Sequence, residues 1–156
     1  MTEKIDIAKL LEEGHKARIS PEGYSMYPLI IPGRDHVELE PFVKQRDKLH
    51  RGDILLYRRD TGLLVLHRVH RIDPQGRLYF CGDNQSDLEG PIMQRQVLGK
   101  VSRINRKGRE FSTHNVRYKF YSGFWIISRP LRPLMHTVAQ GFRNIAGFFR
   151  RFIKRQ

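Results

Sequence analysis

RGDILLYRRDTGLLVLHRVHRIDPQGRLYFCG, residues 51–82, is the stretch whose reading decides the fold. RGDILLYRR (51–59) is an apolar run opened by a Gly-Asp turn. Thr61 and Gly62 separate it from LLVLHRVHRI (63–72), so the two runs are expected to pair as a hairpin. Asp73 to Gly76 reads Asp-Pro-Gln-Gly, with proline second and glycine fourth, which is a β-turn signature. It leads into RLYFCG (77–82), a third strand.

The same style continues on both sides. ARIS (17–20) is a weak strand, and DHVELEPF (35–42) alternates Val37 and Leu39 with Glu38 and Glu40 at strand period. QVLGKVSRI (96–104) and REFSTH (109–114) flank the turn NRKG. Short strands with frequent turns predict a mainly β, antiparallel, barrel-like or sandwich-like body over residues 17–114. Ahead of it, KIDIAKLLEEGH (4–15) reads as a short amphipathic helix stopped at Gly14, giving an N-terminal segment 1–16. Behind it, residues 115–156 form a basic segment. A short helix is expected over 116–128, a break at RPLRP (129–133), then an amphipathic helical tail.

Net charge is +13 over 156 residues, and it is uneven. After Glu110 there is no acidic residue, while residues 111–156 carry nine Lys and Arg. Acidic partners, an anionic membrane surface or nucleic acid, follow from that balance. In the tail, Phe142, Ile145, Phe149 and Phe152 fall on one helical stripe, with Arg132, Arg143 and Arg150 on the other side and Arg151 adding charge. That pattern describes a helix lying in a membrane interface. Nucleic acid would use the arginines but has no need of the stripe, so the membrane is the expected partner. Residues 1–13 hold Glu3, Lys4, Asp6, Lys9, Glu12 and Glu13, leaving no apolar core for a secretory leader. No window reaches the roughly 18–20 apolar residues of a membrane span. The expected location is therefore cytoplasmic, peripheral on the inner membrane face.

The single cysteine, Cys81, excludes an internal disulfide and is expected to fill space beside a turn. His67, His70, Cys81 and Asp83 are candidate metal ligands, but a spacing of three on a strand sends His67 and His70 to opposite faces. No metal and no cofactor are expected.

Three segments carry possible chemistry: GYSMYP (23–28), VLHRV (65–69) and CGDNQSD (81–87), the last followed by QVLGKV (96–101). Each alone has an ordinary reading. Ser25 would be a turn serine, His67 a core histidine on the face of Leu63, Val65 and Val69, and Gly-Asp-Asn a tight turn. In this order, with Gly52 and Asp53 between the first two, they resemble the signal peptidase I clan, which includes the LexA-like autoproteases. The resemblance covers roughly residues 17–104. His67-Arg68-Val69 is similar to the histidine-base branch found in the endoplasmic reticulum and archaea, whereas the other branch uses lysine.

The resemblance implies a serine endopeptidase that cleaves an extended leader- or signal-like peptide. Ser25 would be the nucleophile and His67 the base, with Asp83 or Asp87 orienting the imidazole. Asp87 is the preferred third member, although it follows Asp83 more closely than the family's second aspartate does. A serine hydroxyl needs such a base within hydrogen-bond reach, and an imidazole can take and return a proton near neutral pH. The Ser25 N–H is the natural oxyanion donor. Gly23 occupies the place where lysine-type members carry a second donor, so that donor would be backbone or missing. Met26 and Leu29 are expected to pin the turn to the β body. A LexA-like self-cleaving regulator, or a non-catalytic binding module on the same fold, would explain the motifs less completely.

Overall fold

The hairpin expected over 51–72 forms. Strand β3 (Ile54–Arg58) pairs antiparallel with β4 (Leu64–Ile72), from Ile54 opposite Arg68 to Arg58 opposite Leu64. The loop closes with Arg59 N–H donating to the Leu63 carbonyl at 2.9 Å and Gly62 N–H to the Arg59 carbonyl at 2.8 Å. Residues 51–53 are the Gly-Asp turn expected to open the run, and the strand itself starts at Ile54. Gly52 has φ +98°, and a Cβ there would stand 2.5 Å from Ser122 Oγ, so glycine is required.

The computed structural model describes residues 6–133. Besides β3 and β4 it contains α1 (Ile7–Glu12), β1 (Ala17–Ile19), β2 (His36–Pro41), β5 (Leu78–Cys81), β6 (Glu89–Ile92), β7 (Val97–Arg106), β8 (Arg109–Ser112) and α2 (Val116–Ile127). The tail residues Phe142, Arg143, Ile145, Phe149, Arg150, Arg151 and Phe152 lie outside the described residues.

The strands make one antiparallel sheet in the order β1-β2-β7-β3-β4-β5-β6. Strand β7 serves two neighbours on one edge, β3 beside residues 97–100 and β8 beside residues 103–106. The path ends at β1 and β6, which do not pair, so the sheet is not closed and the barrel-like closure expected from the sequence is not among its pairings. Strand β6 was not expected at all, because its Gly90-Pro91 step reads as a turn. Proline has no N–H to extend a ladder and is tolerated where a strand is an edge.

The sheet carries a core on each face. One gathers Val37, Leu39, Ile54, Leu56, Leu66, Val101 and Ile104 with Ala8 and Leu11 of α1 and Tyr118 of α2. The other gathers Leu55, Tyr57, Val69, Leu78, Phe80, Ile92 and Val97. Strand alternation explains the division: Ile54 and Leu56 face one way, Leu55 and Tyr57 the other. Both helices begin at side-chain caps. The Asp6 carboxylate accepts from Ala8 and Lys9 N–H, and the Asn115 side chain accepts from Arg117 N–H. Among the described residues no helix is long and apolar enough to cross a membrane.

Candidate functional site

The segment around Ser25 is a turn rooted in the first core. Tyr27 N–H donates to the Tyr24 carbonyl at 3.1 Å and Ile30 N–H to the Met26 carbonyl at 3.0 Å. Met26, Leu29 and Ile30 are buried. Each contributes about 1.5–3 kcal/mol by leaving water, far more than a solvated turn would gain from these residues. Ser25, held half-buried between them, faces a cleft of about 220 Å³. Gly23 takes a left-handed φ of +78° at the cleft's entrance.

A second turn docks against this one. Asn84 N–H donates to the Ser25 carbonyl at 2.8 Å, whereas the Ser25 N–H itself has no acceptor among the described residues. The approach is close enough to demand glycine at position 82. A Cβ there would lie 2.6 Å from the Ser25 carbonyl oxygen and 2.7 Å from Gln85 Oε1. Gly82→Ala must therefore push two backbone segments apart. It is expected to destabilise the protein by about 1–3 kcal/mol, the usual cost of overpacking, read as a lower midpoint in chemical denaturation.

Strand β4 brings His67 to the same cleft. Its ring is buried, and Nδ1 lies 3.3 Å from the Tyr57 hydroxyl and 3.6 Å from Glu89 Oε2. Register explains the grouping. His67 pairs opposite Leu55, which shares a face with Tyr57, and Tyr57 stacks on Phe80 at 4.2 Å between ring centroids. Phe80 pairs opposite Glu89. The Tyr57 hydroxyl donates to Glu89 Oε2 at 2.8 Å, so its oxygen remains to accept from His67 Nδ1–H. That arrangement fixes the proton on Nδ1 and leaves the Nε2 lone pair free. Arg59 clamps Glu89 through Nε and Nη2.

The electrostatics keep the ring neutral. Burial pushes the His67 pKa down; Glu89 pulls it up and Arg59 pushes it down again, and the result lies below the ordinary 6.5, so the ring is neutral at neutral pH. Burial pushes the Glu89 carboxyl up, but its bonds from Arg59 and Tyr57 outweigh that and hold it below the usual carboxylate range. Burial and the neighbouring Glu89 raise the Tyr57 phenol well above its ordinary value, so it stays a neutral donor.

Of the residues expected from the sequence, Ser25 and His67 line one cleft, without a hydrogen bond between them, and Gly23 and Met26 frame it. The two aspartates sit elsewhere. Asp83 is buried in a bidentate pair with Arg68, Nε to Oδ1 at 2.8 Å and Nη2 to Oδ2 at 2.7 Å. Asp87 is exposed and makes no hydrogen bond or ion pair among the described residues. The carboxylate on the imidazole is Glu89, because β6 carries it back over Phe80 while the 81–87 turn bends toward Arg68. Arg68 Nη1 also donates to the Gly52 carbonyl, Tyr118 Oη and Ser122 Oγ, joining β4 to α2.

Arg132 is a further correction. Expected on the charged side of the tail helix, it is buried and donates to the Gly82 carbonyl at 2.7 Å and to the carbonyls of Gln85 and Trp125. Arg129 donates to the Ser86 carbonyl at 2.8 Å. The short segment that follows α2 thus clamps the turn that holds Ser25. Cys81 Sγ lies within 3.3 Å of the Gly82 and Gln85 carbonyls, and burial pushes its thiol pKa up. His70 turns away to the Ile126 carbonyl. Among the described residues no three His, Cys, Asp or Glu side chains gather as a set that could hold a metal ion.

The cleft also borders open backbone. Strand β5 pairs with β4 only from Arg68 onward, so residues 64–67 have β3 on one edge and no strand on the other among the described residues. A hydroxyl, a neutral imidazole with a fixed tautomer, a spare N–H and an open strand edge are the parts that acyl transfer on an extended peptide requires. Comparison of the chain with protein-family models, with curated proteins and with solved structures returns no match.

Proposed function

We propose that the protein is a serine endopeptidase similar to the histidine-base signal peptidases, acting on an extended leader- or signal-like peptide. The observation that carries this reading is His67: its Nδ1 end is held by Tyr57 and Glu89, and it lines one cleft with Ser25. Nε2 takes the proton of Ser25 Oγ as Oγ attacks the scissile carbonyl. The Ser25 N–H stabilises the resulting oxyanion. The imidazolium, stabilised by Glu89, returns its proton to the leaving amine, and water then hydrolyses the acyl-enzyme by the same route. Glu89, acting through Tyr57 and the imidazole, takes the positioning role expected of Asp83 or Asp87. The substrate adds as a strand along the open edge at residues 64–67, which sets its carbonyl across the cleft. A Ser25–His67 bond that is absent without substrate is common in such sites, because catalytic contacts tighten on binding.

The test is a biotinylated fluorophosphonate, which modifies only an activated serine. A covalent adduct is expected on the full-length protein, mapped to Ser25 by peptide mass spectrometry and absent from Ser25→Ala. A folded wild-type protein that gains no adduct at Ser25 overturns the reading.

A further inference from the structure

Helix α2 is apolar on both sides. Its inner side buries Tyr118, Ser122, Trp125 and Ile126. On its outer side Val116, Phe120, Phe124 and Ile127 stand 59–77% exposed, and Leu131 continues the line at 58%. At 3.6 residues per turn, Val116 to Ile127 fall in a sector about 80° wide, opposite the buried side. A helix apolar all round is ordinarily covered, and an apolar patch of this kind marks an interaction surface. We propose that this outer face of α2 docks on an anionic membrane surface.

The flanks identify the occupant. Arg117 and Lys119 stand exposed on the two sides of the stripe. Beside it opens a cleft of about 860 Å³, which Ile127 shares with the stripe. Its carboxylates Glu40, Asp47 and Asp53 are paired with Lys16, Arg46 and Lys100 respectively, and its lining cations Lys48, Arg51 and Lys119 have no carboxylate partner among the described residues. No acidic residue follows Glu110. Apolar residues at acyl depth with cations at headgroup height are what an anionic interface selects. A second copy meeting face to face would set Arg117 and Lys119 against their own like charges. Residues 134–156 carry an apolar stripe of their own in the sequence and are the rival cover, which the triple variant below separates from the membrane. The membrane contact expected for the tail is thereby assigned to a face of the described body, independently of whether the cleft at Ser25 is catalytic. Arg129 and Arg132 tie the short segment that follows α2 to the carbonyls of Ser86 and Gly82, so a docked α2 would orient the Ser25 cleft relative to the surface.

The experiment is co-sedimentation of the full-length protein with vesicles of phosphatidylglycerol and phosphatidylcholine, and with phosphatidylcholine alone. Wild type is expected to partition onto the anionic vesicles and weakly onto the neutral ones. Phe120→Ser/Phe124→Ser/Ile127→Ser is expected to lower that partitioning at least tenfold with an unchanged melting temperature, since all three side chains are exposed. Wild type that ignores anionic vesicles overturns the proposal, as does a triple variant that binds as tightly as wild type. A triple variant that melts earlier or changes oligomeric state also overturns it, because the face is then covered by the chain itself or by a second copy.

Discussion

His67→Ala is expected to slow fluorophosphonate modification of Ser25 by about 10⁴-fold or more, Glu89→Gln by about 10²–10⁴-fold, and Asp87→Asn not at all. The first loss follows from removing the proton acceptor that makes Oγ a nucleophile. The second follows from the chain of bonds behind the ring. Tyr57 can accept from His67 Nδ1–H because its own proton goes to Glu89 at 2.8 Å. A glutamine carries half the acceptor capacity and no charge, so the Tyr57 hydroxyl is freed to donate to Nδ1. That selects the tautomer with the proton on Nε2, which cannot take one from serine. Asp87 is exposed and touches none of these groups.

The pH profile separates positioning from general damage. Modification needs the neutral imidazole, so its rate falls as pH drops through the pKa of His67. That pKa is depressed, chiefly by burial, so the acid limb lies below pH 6.5. Glu89 is the charge that raises it most, so Glu89→Gln should move the limb to still lower pH while lowering the plateau. A Glu89 that only supports β6 would move the limb the same way, because its charge lies 3.6 Å from the ring, but would leave the plateau per folded molecule at the wild-type rate. An unchanged plateau per folded molecule in Glu89→Gln, or a large loss in Asp87→Asn, would return the role to the 81–87 turn.

The strands were legible because their signals are local. Turn dipeptides and short apolar runs predict β1 to β5, β7 and β8 within a few residues, and a serine flanked by Met26 and Leu29 predicts a turn rooted in a core. Glu89 was not legible. It stands on a four-residue strand whose centre is Gly90-Pro91, so no alternation survives to announce it, and its contact with His67 depends on the register of three strand pairs. The same limit hid Arg132. In the sequence it belongs to a basic segment, and only the docking of α2 against the 81–86 turn makes it an internal clamp. The Gly-Asp-Asn motif was legible as a turn, but the partner of its aspartate was not, because Arg68 sits beside His67 in the chain and faces the opposite side of β4.

Asp83→Asn is expected to destabilise the protein by about 3–5 kcal/mol, measured by urea denaturation, because it leaves the Arg68 charge buried without its counter-ion. A domain of this kind has about 5–15 kcal/mol in total, so the variant approaches the unfolding threshold. Burial works against the Arg68 charge, and Asp83 more than offsets it, which raises the guanidinium pKa. Both side chains are at most 3% exposed, so solvent cannot take over the pairing. Arg68→Met should cost a similar amount by stranding Asp83. Arg68→Met/Asp83→Leu should cost less than either, since no buried charge remains, although Tyr118 and the Gly52 carbonyl lose a partner. Asp83 sits between Gly82 and Asn84, the two residues in contact with the Ser25 carbonyl. Modification of Ser25 in Asp83→Asn should therefore fall with the folded fraction while its acid limb stays close to wild type. A variant within 1 kcal/mol of wild type that loses modification outright would make Asp83 a member of the site and not its foundation.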